Sequence, residues 1–139
     1  MKYNDIIKFM SDLEVGYLAT INKNVARPSV RPLSFQFYKG DIFFSTNNDT
    51  SKINELASCP AVEILFRQED KQVRLVGHVE QVMDESIQGN FLKEYPFLSQ
   101  IFEGENRKKF TLFRVIPEMV KMMLNDELKY VETQWDDLE

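Results

Sequence analysis

Residues 45 to 52 read Ser45-Thr46-Asn47-Asn48-Asp49-Thr50-Ser51-Lys52. Hydroxyls, amides and one ammonium gather where a strand-like run (Asp41 to Phe44) gives way to a helix-like one (Ile53 to Ser58). The start of a helix carries unpaired backbone N–H groups and a partial positive charge. Such amides, joined by hydroxyl donors and a cation, are the means by which a protein holds a phosphate. The chain has a net charge of −5. That balance points to a small phosphorylated ligand and away from a nucleic acid, whose many phosphates need a broad basic face. Further basic and amide groups on the neighbouring segments are Arg27, Arg31, Gln72 and Arg74.

Other chemistries lack their residues. One histidine, His78, and one cysteine, Cys59, cannot build a zinc centre of the usual kind within a single chain or supply a nucleophilic triad. A lone histidine in a strand reads as a surface or hydrogen-bonded residue, with axial haem ligation as the other reading. A single cysteine forms no internal disulfide, which fits a reducing compartment. The glycine loops of dinucleotide and triphosphate sites are absent. Met1-Lys2-Tyr3-Asn4-Asp5 is not followed by a continuous apolar run, so no signal peptide is expected, and no stretch approaches the length of a membrane span. The expectation is a cytoplasmic protein with neither a membrane nor a nucleic acid as partner.

The elements that must position the phosphate-type residues follow from periodicity. Ile6, Ile7, Phe9, Met10 and Leu13 suit an amphipathic helix. Val15, Tyr17, Ala19 and Ile21 alternate with Gly16, Leu18 and Thr20, and Asn22-Lys23-Asn24 supplies a turn. Pro28 and Pro32 bracket Ser29-Val30-Arg31 and demand an edge or irregular strand, since proline gives no ladder donor. Next, Leu33, Phe35 and Phe37 point one way and Ser34, Gln36 and Tyr38 the other, before Lys39-Gly40 closes a tight hairpin. Val62, Ile64 and Phe66 mark another strand, and Val73 to Val82 a longer one with Gly77 as a bulge or close approach. Asp84 caps a helix that Pro96 ends, a short second helix spans Phe97 to Phe102, and Phe110 to Leu124 forms one or two strands interrupted at Pro117. The tail around Trp135 has no clear period. Six or seven strands with hairpin connections and three small helices favour one barrel-like domain over residues 1–139, because closure removes exposed edges. A chain of this length encloses a large ligand more readily with a second copy.

The order of these segments resembles the pyridoxamine 5′-phosphate oxidase-like family, the FMN-binding split barrels. The likeness runs through Val15-Gly16-Tyr17-Leu18-Ala19-Thr20, Arg27-Pro28-Ser29-Val30-Arg31-Pro32-Leu33, Asp41-Ile42-Phe43-Phe44-Ser45-Thr46, Ser51-Lys52-Ile53-Asn54-Glu55-Leu56, Cys59-Pro60-Ala61-Val62 and Gln72-Val73-Arg74-Leu75-Val76-Gly77-His78-Val79-Glu80. It implies a mainly β fold, a six-stranded antiparallel Greek-key split barrel with short peripheral helices, paired as a homodimer with FMN in clefts at the subunit interface. By the same resemblance Arg31 and Lys52 pair with the flavin phosphate, helped by Thr50 and Ser51. The backbone of Arg31, Pro32, Leu33 and Ser34 runs along the ring, Ser45 and Thr46 meet its edge or the ribityl chain, and Gln72 reaches the ring system.

The chain also departs from the vitamin-making oxidases. Where they carry a substrate-contacting lysine it has Gln36, and Ser51 stands in the place of a second basic residue. The reading that results is a small FMN-dependent oxidoreductase acting on a small-molecule redox substrate, with no catalytic acid or base evident. The alternatives are a flavin carrier or sensor without turnover, or a relative that binds haem or deazaflavin. Trp135 either stacks on a partner's flavin or covers apolar surface.

Overall fold

The computed structural model describes residues 2–124 and 129–139. The chain starts with helix α1 (Tyr3–Leu13), whose Ile6 and Met10 are fully buried against the sheet. Glu14 turns the chain at φ 63° and leads into β1 (Val15–Asn22), which pairs antiparallel with β2 (Arg27–Ser34) along its whole length. Phe35 breaks the run, and β3 (Gln36–Tyr38) continues as its second leg. Lys39 and Gly40, both at positive φ, form the two-residue hairpin into β4 (Asp41–Asn47), as the right-handed twist of paired strands prefers.

Helix α2 (Ser51–Ser58) leads to β5 (Ala61–Gln68) and β6 (Lys71–Val82). Next come α3 (Glu85–Glu94), with the Asp84 carboxylate accepting from the Ser86 and Ile87 amides, and α4 (Pro96–Ile101). A 3₁₀ turn at Gly104–Lys109 precedes the longest strand, β7 (Phe110–Met123), and β8 (Val131–Gln134) follows. The sheet order is β2-β1-β5-β6-β7-β4-β3, with β8 attached to β7. The two ends of that path, β2 and β3, are the legs of one bent segment, so the sheet curls into a split barrel. Counting those legs as one strand and setting β8 aside recovers the six strands expected.

Pro117 does not end the last long strand. It pairs with Gly77, where the β6–β7 register shifts, and an added Cβ at Gly77 would stand 2.2 Å from the Ile116 carbonyl oxygen. The glycine permits a bulge, and the bulge accommodates the proline. Two cores result. The barrel interior holds Leu18, Phe44, Ile64, Phe66 and Leu75, while Phe43, Phe91, Leu98 and Phe110 form a second core beneath α3 and α4. Because both faces of β4 are covered, Ile42, Phe43 and Phe44 are all buried. The tail is more ordered than its sequence suggests. Trp135 packs edge to face on Tyr3 with ring centres 5.5 Å apart and joins the rim of the barrel core. No described helix is long and apolar enough to cross a membrane.

Candidate functional site

Alternation along β2 turns Ser29, Arg31 and Leu33 toward the interior and leaves Pro28, Val30, Pro32 and Ser34 exposed. On β1 the same alternation buries Thr20. Helix α2 packs beneath these strands and presents Lys52 and Glu55, three residues apart, on one face. The result is a polar cluster with two cations. One guanidinium nitrogen of Arg31, Nη2, donates to Glu55 Oε2 at 2.9 Å, Ser29 Oγ at 2.6 Å and Thr20 Oγ1 at 3.1 Å. The Thr20 hydroxyl donates in turn to Glu55 Oε2 at 2.7 Å. The other guanidinium nitrogen, Nη1, is buried without a partner among the described residues.

Lys52 is 8% exposed and donates to Thr46 Oγ1 at 2.8 Å, with the Thr50 hydroxyl 3.4 Å from the same oxygen. Burial, and then the charge of Arg31, hold the lysine's pKa below its ordinary value. Hydrogen bonds from Thr20 and Arg31 hold the Glu55 carboxyl below its ordinary range despite partial desolvation. Two cations thus face one carboxylate, and that carboxylate is committed to Arg31. Buried charge left in excess is costly unless an anion meets it.

The structure therefore brings Arg31, Thr46, Thr50 and Lys52 together. It sets the other site residues of the sequence reading around them. Ser51 is exposed at the start of α2, lining a hollow of about 220 Å³ with Asn22, Asn24, Asn54 and Glu55. Pro32 and Ser34 lie on the outer side of β2, whereas Leu33 packs against the barrel core. Ser45 falls on the opposite face of β4 from Thr46, the face on which Phe43 joins the second core. Gln72 stands apart. Arg31 pairs with Leu18, Leu18 with Ile64 and Ile64 with Leu75, which puts β6 three strands away, roughly 14 Å at ordinary strand spacing. Gln72 lies three residues further along β6.

Three members of the cluster, Thr20, Ser29 and Glu55, are not singled out by the sequence. Glu55 had a signal in its i+3 spacing from Lys52 on the same helix. Thr20 and Ser29 lacked one, because only the β1–β2 register sets them opposite each other. His78 lies on β6 with Nδ1 2.9 Å from Glu118 Oε1 and Nε2 3.9 Å from Glu80 Oε1.

A comparison with protein families gives a pyridoxamine 5′-phosphate oxidase model that matches residues 5–124. The chain belongs to the pyridoxamine 5′-phosphate oxidase family. Solved structures agree in fold with this family member. A NimC/NimA family protein of Clostridium acetobutylicum superposes with a TM-score of 0.77 at 20% identity, over 93% of this chain and 89% of that one. A pyridoxamine 5′-phosphate oxidase-related, FMN-binding protein of Nostoc punctiforme gives 0.66 at 17% identity, over 95% of each chain. HutZ, the haem storage protein of Vibrio cholerae, also gives 0.66 at 17% identity, over 85% of this chain and 92% of that one. No curated protein matches the sequence. At these identities the likeness is one of fold, and a scaffold shared by flavin and haem proteins leaves the cofactor to be argued from the site.

Proposed function

We propose that the protein is an FMN-binding flavoprotein, a small cytoplasmic flavin-dependent oxidoreductase distinct from the vitamin-making oxidases, with residues 1–139 forming one cofactor-binding domain. The observation that carries this reading is the buried, unpartnered Nη1 of Arg31 beside the buried ammonium of Lys52. A phosphate dianion supplies the missing acceptors, with charge-assisted bonds from the guanidinium and the ammonium and neutral ones from the Thr46 and Thr50 hydroxyls. The ring then follows the open edge of β2. Proline nitrogens carry no hydrogen, so Pro28 and Pro32 must occupy the ladder phase whose N–H groups face away from β1. That phase leaves the amides of Val30 and Ser34 on the free edge, donors suited to a planar heterocycle. Bound flavin would accept and deliver reducing equivalents, while the chain supplies placement and electrostatics. A recess lined by Ser34, Phe35 and Gln36 adjoins the place given to the ring, which favours turnover over a pure carrier.

A homodimer belongs to the same reading. The outer face of β1 and β2 exposes Tyr17, Ile21 and Val30, the last 67% accessible, alongside Pro28 and Pro32. A groove of about 300 Å³ continues this apolar surface over Ile21, Ala61 and Val76. Contiguous apolar surface of this kind beside a cofactor site fits a second copy. Titration of the apoprotein with FMN, followed by visible absorption, tests the cofactor. Saturable uptake with the two flavin bands is expected. A Soret band on adding haem, without uptake of FMN, would overturn the flavin reading in favour of haem. Light scattering tests the assembly, where a stable monomer that binds FMN tightly would remove the shared cleft.

A further inference from the structure

A second cavity, of about 290 Å³, opens where β2 bends into β3. It lies five residues along the bent segment from Arg31, at Gln36. About 150 Å³ is enough to hold benzene in a protein interior, so the space accepts one substituted ring. Phe35, Phe37 and Phe97 supply flat apolar walls. Gln36 is 6% exposed. Its Nε2 donates to Ser34 Oγ at 3.2 Å, and its Oε1 is buried with no partner among the described residues. A buried carbonyl oxygen left unpaired is costly, and a donor brought by a ligand removes that cost.

The charged lining is one-sided. Glu14, an exposed residue, is the acidic member of the lining, and among the described residues no lysine, arginine or histidine borders the cavity. Glu14 is held in place on both sides: its amide donates to the Met10 carbonyl, its own carbonyl accepts from the Phe35 amide at 2.8 Å, and its φ of 63° lies outside the usual range for a side-chain-bearing residue. The Tyr95 hydroxyl, also on the lining, donates to the Phe37 carbonyl at 3.4 Å. Acceptors and one negative charge therefore converge on an aromatic slot.

We propose that this cavity is the substrate recess and that it takes a flat ring bearing an N–H, ammonium or amidinium group, rejecting phosphorylated and carboxylated rings. Its role as a substrate recess rests on the flavin reading, whereas its charge preference does not. The test is calorimetric titration of the FMN-saturated protein and of the apoprotein with benzamidine and with benzoate, two flat probes of similar size and opposite charge. Benzamidine is expected to bind at least about tenfold more tightly than benzoate in both forms. Gln36→Lys should reverse that order, and Glu14→Gln, which keeps the side-chain shape, should weaken benzamidine about threefold. FMN affinity should move less than about twofold in either variant. Binding of neither probe, equal binding, a preference for benzoate in the unaltered protein, or a benzamidine preference that persists in Gln36→Lys would each overturn the proposal. If the apoprotein keeps the preference but takes up no FMN, the flavin reading falls and the charge preference stands. If FMN binds without any preference between probes, the recess falls alone.

Discussion

The two ends of the bent β2–β3 segment solve opposite problems with the same backbone. At Arg31 the interior holds two cations against one carboxylate, and at Gln36 it holds an uncharged amide on a lining whose one charged member among the described residues is Glu14. Both ends leave a buried polar atom without a partner among the described residues, a guanidinium nitrogen at one and a carbonyl oxygen at the other. An orphaned donor asks for an anion, and an orphaned acceptor asks for a donor. Under the proposed reading the contrast gives the segment a polarity, with an anion drawn to one end and disfavoured at the other. A cofactor carrying a terminal phosphate would then have one favoured way to lie along it.

The severest way to break that comparison is to remove both cations. Arg31→Ala combined with Lys52→Ala deletes two charge-assisted contacts worth about 1.5 to 3 kcal/mol each, so FMN affinity should fall by roughly 10²- to 10⁴-fold in an equilibrium fluorescence titration. Gln36→Leu in the same titration should change it less than about threefold, because that side chain faces the other end. Comparable losses from both would mean that the segment has no polarity.

Glu55 sharpens the contrast from within the cationic end. Its carboxylate occupies Arg31 in the absence of ligand and competes with an incoming phosphate. Glu55→Gln keeps a hydrogen-bond acceptor but removes the charge, so FMN should bind about tenfold more tightly, while the apoprotein melts at a lower temperature with its cations uncompensated. Weaker FMN binding in this variant would instead make Glu55 a residue that positions Arg31. The pKa of Glu55 is lowered on folding, so its contribution to stability is present above its ordinary value of 4.5 and is lost as pH falls through the folded value.

Lys52 responds to pH with the opposite consequence. Folding lowers its pKa below 10.5, so the charged side chain costs stability at every pH below the folded value. That cost is relieved as pH rises through the folded value toward 10.5. A bound phosphate favours the ammonium and restores the proton. FMN affinity should therefore be level below the lowered pKa and decline severalfold as pH climbs through it, and Lys52→Met should abolish the decline. A flat profile in the unaltered protein would show that the phosphate does not sit on Lys52.

The cationic end was legible in the sequence and the other end was not. Arg31 and Lys52 stand out because a hydroxyl-rich strand end opening a helix, and an arginine between two prolines, are local patterns. Gly77 and Asp84 were legible for the same reason, one as a bulge and the other as a helix cap. Phe35 defeats the alternation rule. The backbone bends there, and Phe35 and Gln36 are both buried, although neighbouring residues of a regular strand point to opposite faces. The recess depends on that bend and on Tyr95 and Phe97, which arrive from sixty residues away, roughly, by tertiary packing that no window of sequence displays. The β8 strand was missed because four residues of alternating exposure give too short a period to read.

The smallest expected effect concerns Gln72, which the family resemblance assigns to the ring and the geometry sets apart. In a single protomer it lies three strands from β2, on a position of β6 that alternates with the buried Val73 and Leu75. Neither the Arg31 cluster nor the Gln36 recess includes it, so its loss leaves every contact described at both ends intact. Gln72→Ala should change FMN affinity less than about twofold, within the scatter of additivity for sites that share no partner. A tenfold loss would show that the ring extends beyond the β2 edge or meets Gln72 of a second copy. Pairing Gln72→Ala with a dimer-weakening Val30→Asp separates those two outcomes. If Gln72 acts across the interface, the losses from the two substitutions will not add, because breaking the dimer already removes the contact. If it acts within the protomer, they will add.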